Sequence, residues 1–253
     1  PYGNLFVADM YRETIEHPWS IPESIKQHLD LNSGNDRGRI WRIAPKGFKP
    51  PKRTMPVTLK GPQLVQLLAH PNGWHRDTAA RLIFEEQDQS LIPALETLAA
   101  TSAAPPGQIH SLWALQRLGA LKTGHLLPVL EKGTAAARVQ AMQLAERFAK
   151  DSRVVRAVFA RVDNPSLEVL YQQALTASVF PASEAKSLAL TMALTLAQGD
   201  RWIEAAVMNA LNGDEELGDL FVAIHGAPHI SNAARVECLK LIGRRNRPGE
   251  LAK

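Results

Sequence analysis

The segment Leu91-Ile92-Pro93-Ala94-Leu95-Glu96 recurs as Leu126-Leu127-Pro128-Val129-Leu130-Glu131, an offset of 126 − 91 = 35 residues. A spacing of that size marks repeat architectures built from helix pairs. One such unit cannot bury its apolar face alone, so neighbours must stack. Leu112–Leu118 also aligns on Met142–Phe148, placing Arg117 on Arg147 at an offset of 30. The period is therefore about 30–35 residues and drifts. This predicts a mainly α chain folded as a HEAT/armadillo-like α-α superhelix over residues 57–253.

The helical rhythm runs through that whole region. Leu64, Leu67 and Leu68 share a face, as do Ala79, Leu82 and Ile83, and as do Val154, Val155, Val158 and Phe159. Pro93 and Pro128 are expected in the first turns of their helices, where a missing N–H costs little. Asn164 reads as an N-cap with Pro165 at the first helical position. Leu167, Leu170, Tyr171, Ala174 and Leu175 then face inward. Ala185, Leu188, Ala189, Met192, Ala193 and Leu196 form the next stripe, with Leu190 and Leu194 off it, so this helix is expected to be covered on two sides. Trp74, Trp113 and Trp202 are expected on inward faces or at pair junctions, and the last helix carries Val236, Cys238, Leu239, Leu241 and Ile242. About ten helices, or five pairs, follow residue 57.

Composition limits what the stack can do. The chain has 253 residues, 45% hydrophobic and 21% charged, with a net charge of +4. That is ordinary for a globular chain and well short of a dedicated nucleic-acid binder. The basic residues gather at Lys46, Lys49, Lys52 and Arg53, and at Arg244, Arg245 and Arg247, instead of along a helix face. A nucleic-acid-binding array is thus the third-ranked function. No apolar run reaches the roughly 20 residues a membrane span needs. The lone Cys238 precludes an internal disulfide and reads as a small core residue. His70, His75, His110 and His125 lack metal-motif spacing, and no Gly-rich phosphate loop or Gly-x-Ser-x-Gly occurs.

Residues 1–56 obey a different period. Gly3-Asn4 precedes the β-favouring run Leu5-Phe6-Val7-Ala8-Asp9, and Gly38-Arg39-Ile40-Trp41-Arg42-Ile43 reads as its partner strand. Between them Ser20-Ile21-Pro22-Glu23 reads as a capping box opening a short helix with Ile25 and Leu29. Two strands cannot stand alone in water, so they are expected to belong to a larger sheet, and the chain to be a piece of a longer protein. Pro45, Pro50, Pro51, Pro56 and Pro62 favour an extended linker, which puts a domain boundary near residue 56.

These residues carry a resemblance. The run Gly3-Asn4-Leu5-Phe6-Val7-Ala8-Asp9, the stretch Glu16-His17-Pro18-Trp19-Ser20-Ile21-Pro22, and Leu29 through Ile40 resemble the closing part of the β-propeller in membrane-bound dehydrogenases of planctomycetes and related bacteria. Those proteins are similar to PQQ-type sugar dehydrogenases. The resemblance implies that residues 1–44 are a two-stranded remnant of a propeller blade completed by upstream blades. It implies helical repeats next, a cytochrome c domain with haem c or another partner downstream, PQQ and Ca²⁺ in the parent protein, and a periplasmic or cell-envelope location. It implies no cofactor held by these residues themselves.

The densest polar constellation is Asp9, Arg12, Glu13, Glu16, His17, Asp36 and Arg37. Carboxylates with a histidine can ligate a metal or act as acid and base, and propeller-end loops line a channel where ligands bind. The same groups can equally pin a loop through caps and ion pairs. Two functions remain open. In the first, the chain is a non-catalytic scaffold of a quinoprotein-like dehydrogenase. In the second, residues 1–44 contribute directly to a sugar or alcohol oxidoreductase site.

Overall fold

The computed structural model describes residues 4–15, 17–49, 58–161 and 165–252. The chain divides into two compact units, Pro1–Met55 and Pro56–Lys253.

In the first unit, β1 (Leu5–Asp9) pairs antiparallel with β2 (Arg39–Ile43), with Leu5 opposite Ile43, Val7 opposite Trp41 and Asp9 opposite Arg39. Opposed residues share a face. One face therefore carries Leu5, Val7, Trp41 and Ile43 with Asp9 and Arg39 at its end, the other Phe6, Ala8 and Ile40 with Arg42. The apolar side chains of both faces are exposed, Ile40 by 73% and Leu5 by 61%. Between the strands lie a 3-10 turn (Pro18–Ser20) and the four-residue α1 (Glu23–Lys26). The expected capping box is not formed. Ser20 is the last residue of the 3-10 turn, so the helix starts three residues later behind Pro22, which offers no side-chain cap.

The second unit is helical. Among the described residues, thirteen α segments run from Pro62 onward, against about ten expected; two of them, α2 (Pro62–Gln66) and α14 (Pro248–Leu251), are single turns. The larger elements are α3 (Gly73–Glu86), α4 (Ile92–Thr101), α5 (Pro105–Arg117), α6 (Thr123–Lys132), α7 (Ala135–Ala145), α8 (Ser152–Val158), α9 (Leu167–Ala177), α10 (Glu184–Ala197), α11 (Arg201–Ala210), α12 (Glu216–His225) and α13 (Asn232–Arg245). Helices α3, α5, α7, α9 and α11 pack in succession, each on the next; α2, α4, α6 and α8 do the same, as do α10 and α12. Contacts such as α4 on α5, α6 on α7 and α9 on α10 join the two rows.

Burial repeats along the odd row. His75, Gly107, Ala137, Val169, Ile203 and Ala234 are all buried, at successive spacings of 32, 30, 32, 34 and 31. Four residues on, Ala79, Ser111, Ala141, Gln173, Val207 and Cys238 are buried at the same spacings. Four further on, so are Ile83, Leu115, Ala145, Ala177, Leu211 and Ile242. An i, i+4, i+8 stripe is one helical face. Half of its residues are Gly, Ala, Ser or Cys, which lets helices approach. At Gly107 a Cβ would sit 2.4 Å from Ser102 Oγ and 2.8 Å from Ala69 Cβ, so α5 could not otherwise lie against the 3-10 turn Leu67–Ala69.

The even row has its own register: Leu95, Leu130, Val158, Leu190 and Leu220 are buried, as are Leu91, Leu126, Val154, Lys186 and Glu216 four residues before them. Its last two members are thus charged. Lys186 Nζ lies 3.0 Å from Glu216 Oε1, with side-chain exposures of 1% and 7%. The two attract as charges without an aligned hydrogen bond at Oε1. The ammonium donates to the Phe180 carbonyl at 3.2 Å, and Glu216 Oε2 accepts the N–H groups of Asn212 and Gly213 at 2.8 and 2.6 Å.

Several expected faces are displaced. Leu167, Tyr171 and Leu175 of α9 are exposed, and Gln172, Gln173 and Thr176 take the inward positions. These polar side chains are satisfied. Gln143 donates to Gln172 at 3.0 Å, Gln172 to Thr176 at 2.9 Å, Thr176 to Glu146 at 2.9 Å, and Gln173 to the Val158 carbonyl at 2.7 Å. In α10, Ala189 and Ala193 are buried on one side and Leu190 and Leu194 on another, as expected for a helix covered on two sides, but Leu188 and Leu196 are exposed and Lys186 goes inward instead. Val236 and Leu239 of α13 are exposed as well, beside the buried Cys238 and Ile242. Trp74 and Trp202 are exposed, and Trp113 is half-buried. Pro93 does start its helix, but α6 begins at Thr123, so Pro128 lies inside it. Ser166, not a residue before Pro165, holds the N-cap position of α9; Asn164 lies outside the described residues.

Two outcomes follow for stability. Leu112→Asp places a charge at a fully buried site, and its far-ultraviolet circular dichroism should lose the wild-type melting transition; a wild-type melt would show that the inward face is misplaced. Glu216→Ala strands the Lys186 cation and should cost about 3–5 kcal/mol in urea denaturation. Lys186→Met combined with Glu216→Gln, which keeps an acceptor for Asn212 and Gly213, should recover most of that loss.

Candidate functional site

The hairpin register places Asp9 opposite Arg39 at the end of the sheet, with Trp41 two residues away on the same face. Asp9 is the centre of what forms there. Its Oδ2 accepts the Trp41 indole N–H at 2.9 Å and lies 3.5 Å from Arg39 Nε, and its Oδ1 accepts the Tyr11 amide at 2.9 Å. The Arg39 guanidinium sits 4.0 Å from the Tyr11 ring centre and 5.2 Å from that of Trp41. A cation between two aromatic rings is held by their quadrupoles as well as by the carboxylate. Tyr11 itself has left-handed backbone (φ 52°), and its carbonyl faces Gly34 (φ 75°), where a Cβ would fall 1.8 Å from the Tyr11 oxygen. No side chain fits at residue 34 while Tyr11 keeps that conformation.

The sequence candidates do not converge into one site. Asp9 joins this cluster. Arg37 reaches its rim, 5.9 Å from the Tyr11 ring centre, and pairs with the adjacent Asp36 at 3.4 Å, both exposed. Arg12 turns away and donates to the Leu31 carbonyl, leaving its Nε buried with no partner among the described residues. Glu13 is exposed; His17 Nδ1 accepts the Trp19 amide at 3.3 Å and caps the 3-10 turn. Glu16 lies outside the described residues. Tyr11, Arg39 and Trp41 escaped the sequence reading because they are not a local motif. The signal was available only through the strand register, which sets residue 39 against residue 9.

Asp9 is chemically committed. The Trp41 indole, then the Tyr11 amide and the Arg39 guanidinium, hold its carboxyl below the usual 3.8. A carboxylate stabilised by two donors and a cation is a weak base. It suits the anchoring of a loop better than proton abstraction.

In the helical unit, the histidines go separate ways. The His70 and His75 rings lie 4.2 Å apart, and burial, then the charge of His70, lowers the pKa of His75. His125 Nε2 lies 3.2 Å from Glu96 Oε1. His110 lines a groove with Asp77, Arg81, Phe84, Trp113, Arg117 and Gln140. Burial pushes the Cys238 thiol up to about 11, with Glu250 adding to the effect, so it is unreactive at neutral pH. Among the described residues no three His, Cys, Asp or Glu side chains are grouped to hold a metal, and no helix is long and apolar enough to cross a membrane.

Residues 1–47 match the model of a family described as a domain of unknown function, DUF7133. No curated protein and no solved structure matches the chain.

Because Asp9 titrates lower folded than unfolded, its contribution is fully present above pH 3.8 and is lost as pH falls through the depressed value. The Trp41 emission, isolated as wild type minus Trp41→Phe, should therefore change with a midpoint below 3.8. Asp9→Asn should abolish that transition.

Proposed function

We propose that this chain is an interaction module of a larger, quinoprotein-like dehydrogenase, with residues 1–44 closing its β-propeller and residues 57–253 forming a HEAT-like superhelix that serves as a scaffold. The observation that carries the reading is the burial register of the odd row. Three stripes hold through six helices at spacings of 30–34 residues. A structural unit repeated at that period, with successive units packed on one another from α3 to α11, supports a solenoid. Such arrays offer extended surfaces to partners. The propeller half of the reading is supported by the sheet, which exposes apolar side chains on both faces, a condition that further strands and packed sheets relieve.

The alternative, a direct part in a sugar or alcohol oxidoreductase site, asks whether the residues of the first unit fit PQQ and Ca²⁺. Bound PQQ would supply hydride or electron acceptance, and its carboxylates would call for free guanidinium groups. Here Arg39 is neutralised by Asp9, Arg37 faces Asp36 and Arg12 donates to the Leu31 carbonyl. Asp9 and Asp36 are thereby engaged too. Arg42, on the face away from Asp9, is the one arginine of the first unit with neither a carboxylate nor a carbonyl partner among the described residues, and one guanidinium does not fit the cofactor's several carboxylates by itself. PQQ, Ca²⁺, a downstream haem c domain and a periplasmic or cell-envelope location remain proposals about the parent protein, resting on the resemblance of residues 1–50. A nucleic-acid role ranks last.

Titrating the chain with PQQ and Ca²⁺ while following tryptophan fluorescence separates the readings. On the scaffold reading no saturable quenching occurs. Saturable quenching that is lost in Arg39→Gln would transfer the function to the oxidoreductase site.

A further inference from the structure

The groove between α3 and α5 has a volume of about 500 Å³ and is built on the odd row, where Arg81 and Phe84 face His110, Trp113 and Arg117, with Gln140 of α7 at its border. It runs along α3 from residue 77 to 84 and along α5 from 110 to 117. At about 1.5 Å per residue that is roughly 10 Å, the length of about three extended peptide residues.

Its polar groups are arranged to receive an anion. The Arg117 guanidinium lies over the Phe84 ring, 5.4 Å from its centre, and no carboxylate pairs with it among the described residues. Arg81 has only the distant Glu85, at 3.8 Å on an exposed turn, a pair worth little in water. Trp113 Nε1 donates to Gln140 Oε1 at 2.8 Å. That bond fixes the amide plane and leaves the Gln140 NH₂ to donate. The acid in the groove, Asp77, is two turns of α3 from the Phe84 that holds Arg117, so the groove is polar along its length, acidic at one end and cationic at the other.

We propose that this groove docks an extended acidic segment of a partner protein, with its carboxylate on Arg117 and Arg81, its backbone carbonyl on the Gln140 amide and an apolar side chain on Trp113. The inference names a partner class for the scaffold and so rests on that reading, but it is measured on its own. An open channel of this length takes a strand of peptide. The charge separation sets its direction. Arg–carboxylate pairing supplies the selectivity.

His110 reports on occupancy. Burial lowers its pKa below 6.5, with Arg76 and Arg117 adding to the effect and Asp77 opposing them. A bound carboxylate favours the imidazolium, so the pKa of His110 rises in the complex.

The test uses the whole chain and a fluorescein-labelled peptide, Gly-Gly-Glu-Leu-Glu-Gly-Gly, in fluorescence anisotropy at low ionic strength. Saturable binding is expected, weaker by about tenfold for the peptide with Gln in place of Glu and for Arg117→Gln. Arg81→Gln should weaken it several-fold. Lys240→Gln, in the groove between α11 and α13, should leave it unchanged. Arg81 and Arg117 are exposed, so matching melting curves are expected for their variants. Proton NMR of the His110 ring, assigned with His110→Gln, should show its pKa moving up in the complex and unmoved with the Gln peptide. The proposal is overturned by no saturable binding, by equal binding of both peptides, by wild-type affinity in Arg117→Gln, or by an unmoved His110. Free glutarate binding as tightly as the peptide would overturn the peptide assignment in favour of a small dicarboxylate. PQQ quenching bears only on the function proposed above and leaves these outcomes unaffected.

Discussion

The helical unit depends on one constraint: no helix in it can bury its own inward stripe. Helices of at most fourteen residues are marginal alone in water. A buried Leu or Ile contributes about 1.5–3 kcal/mol only when something covers it. In the odd row the cover comes from the neighbours on either side in the same row and from the even row beneath. Stability is therefore a property of contacts between units of sequence, and a change such as Leu112→Asp is felt by both neighbours of α5. The small residues of the three stripes follow from the same constraint. Gly107, Ala137, Ala141, Ala145 and Ala177 let helix axes come close, where bulkier side chains would prop them apart.

That constraint fixes burial at each register position without fixing chemistry. At the position of Ser111 and Ala141 stands Gln173. At the position of Leu126 and Val154 stand Lys186 and Glu216. Each exception is paired in a way that answers its own desolvation. Gln173 gives its amide to a helix-end carbonyl that has no partner within its own helix. Glu216 collects two such orphan N–H groups before α12 while it faces Lys186. The ion pair then joins α10 to α12 with a demand for register that two leucines would not impose, at the cost of burying charge.

This explains which parts of the fold were legible. The helical character of the second unit and the inward faces of α3 and α8 follow from apolar periodicity because there the buried residues are also the apolar ones; the strands Leu5–Asp9 and Arg39–Ile43 follow from their β-favouring residues alone, since neither buries a side chain. The rule fails in α9 and α10, where Gln172, Thr176 and Lys186 go inward and Tyr171, Leu175 and Leu188 go out. Hydropathy sees the cost of burying an amide or ammonium but not the partner that offsets it, which lies 29 or 30 residues away. The candidate polar residues are likewise sorted by contacts that hydropathy does not carry: Asp9's partners Arg39 and Trp41 are assigned by strand register, and Arg12 donates to a loop carbonyl.

Exposure carries different meanings in the two units. On the helices, Trp202, Tyr171 and Leu167 line an open groove of about 490 Å³ beside Glu168 and Asp200, but they stand on a scaffold whose core is complete without them. Scattered apolar exposure of that kind is normal for a folded surface. On the hairpin there is no such core. Ile40, Leu5, Ile43 and Phe6 are all exposed across both faces of a two-stranded sheet, and a lone hairpin is marginal in water. Its local order is instead held by polar means: the Asp9 carboxylate, the Arg39 guanidinium between Tyr11 and Trp41, and the glycine that lets Tyr11 stay left-handed. Those contacts hold one end of the hairpin and its loop in place without covering either face. Among the described residues, the first unit is thus ordered by polar contacts around an uncovered two-stranded sheet, the second by an apolar core.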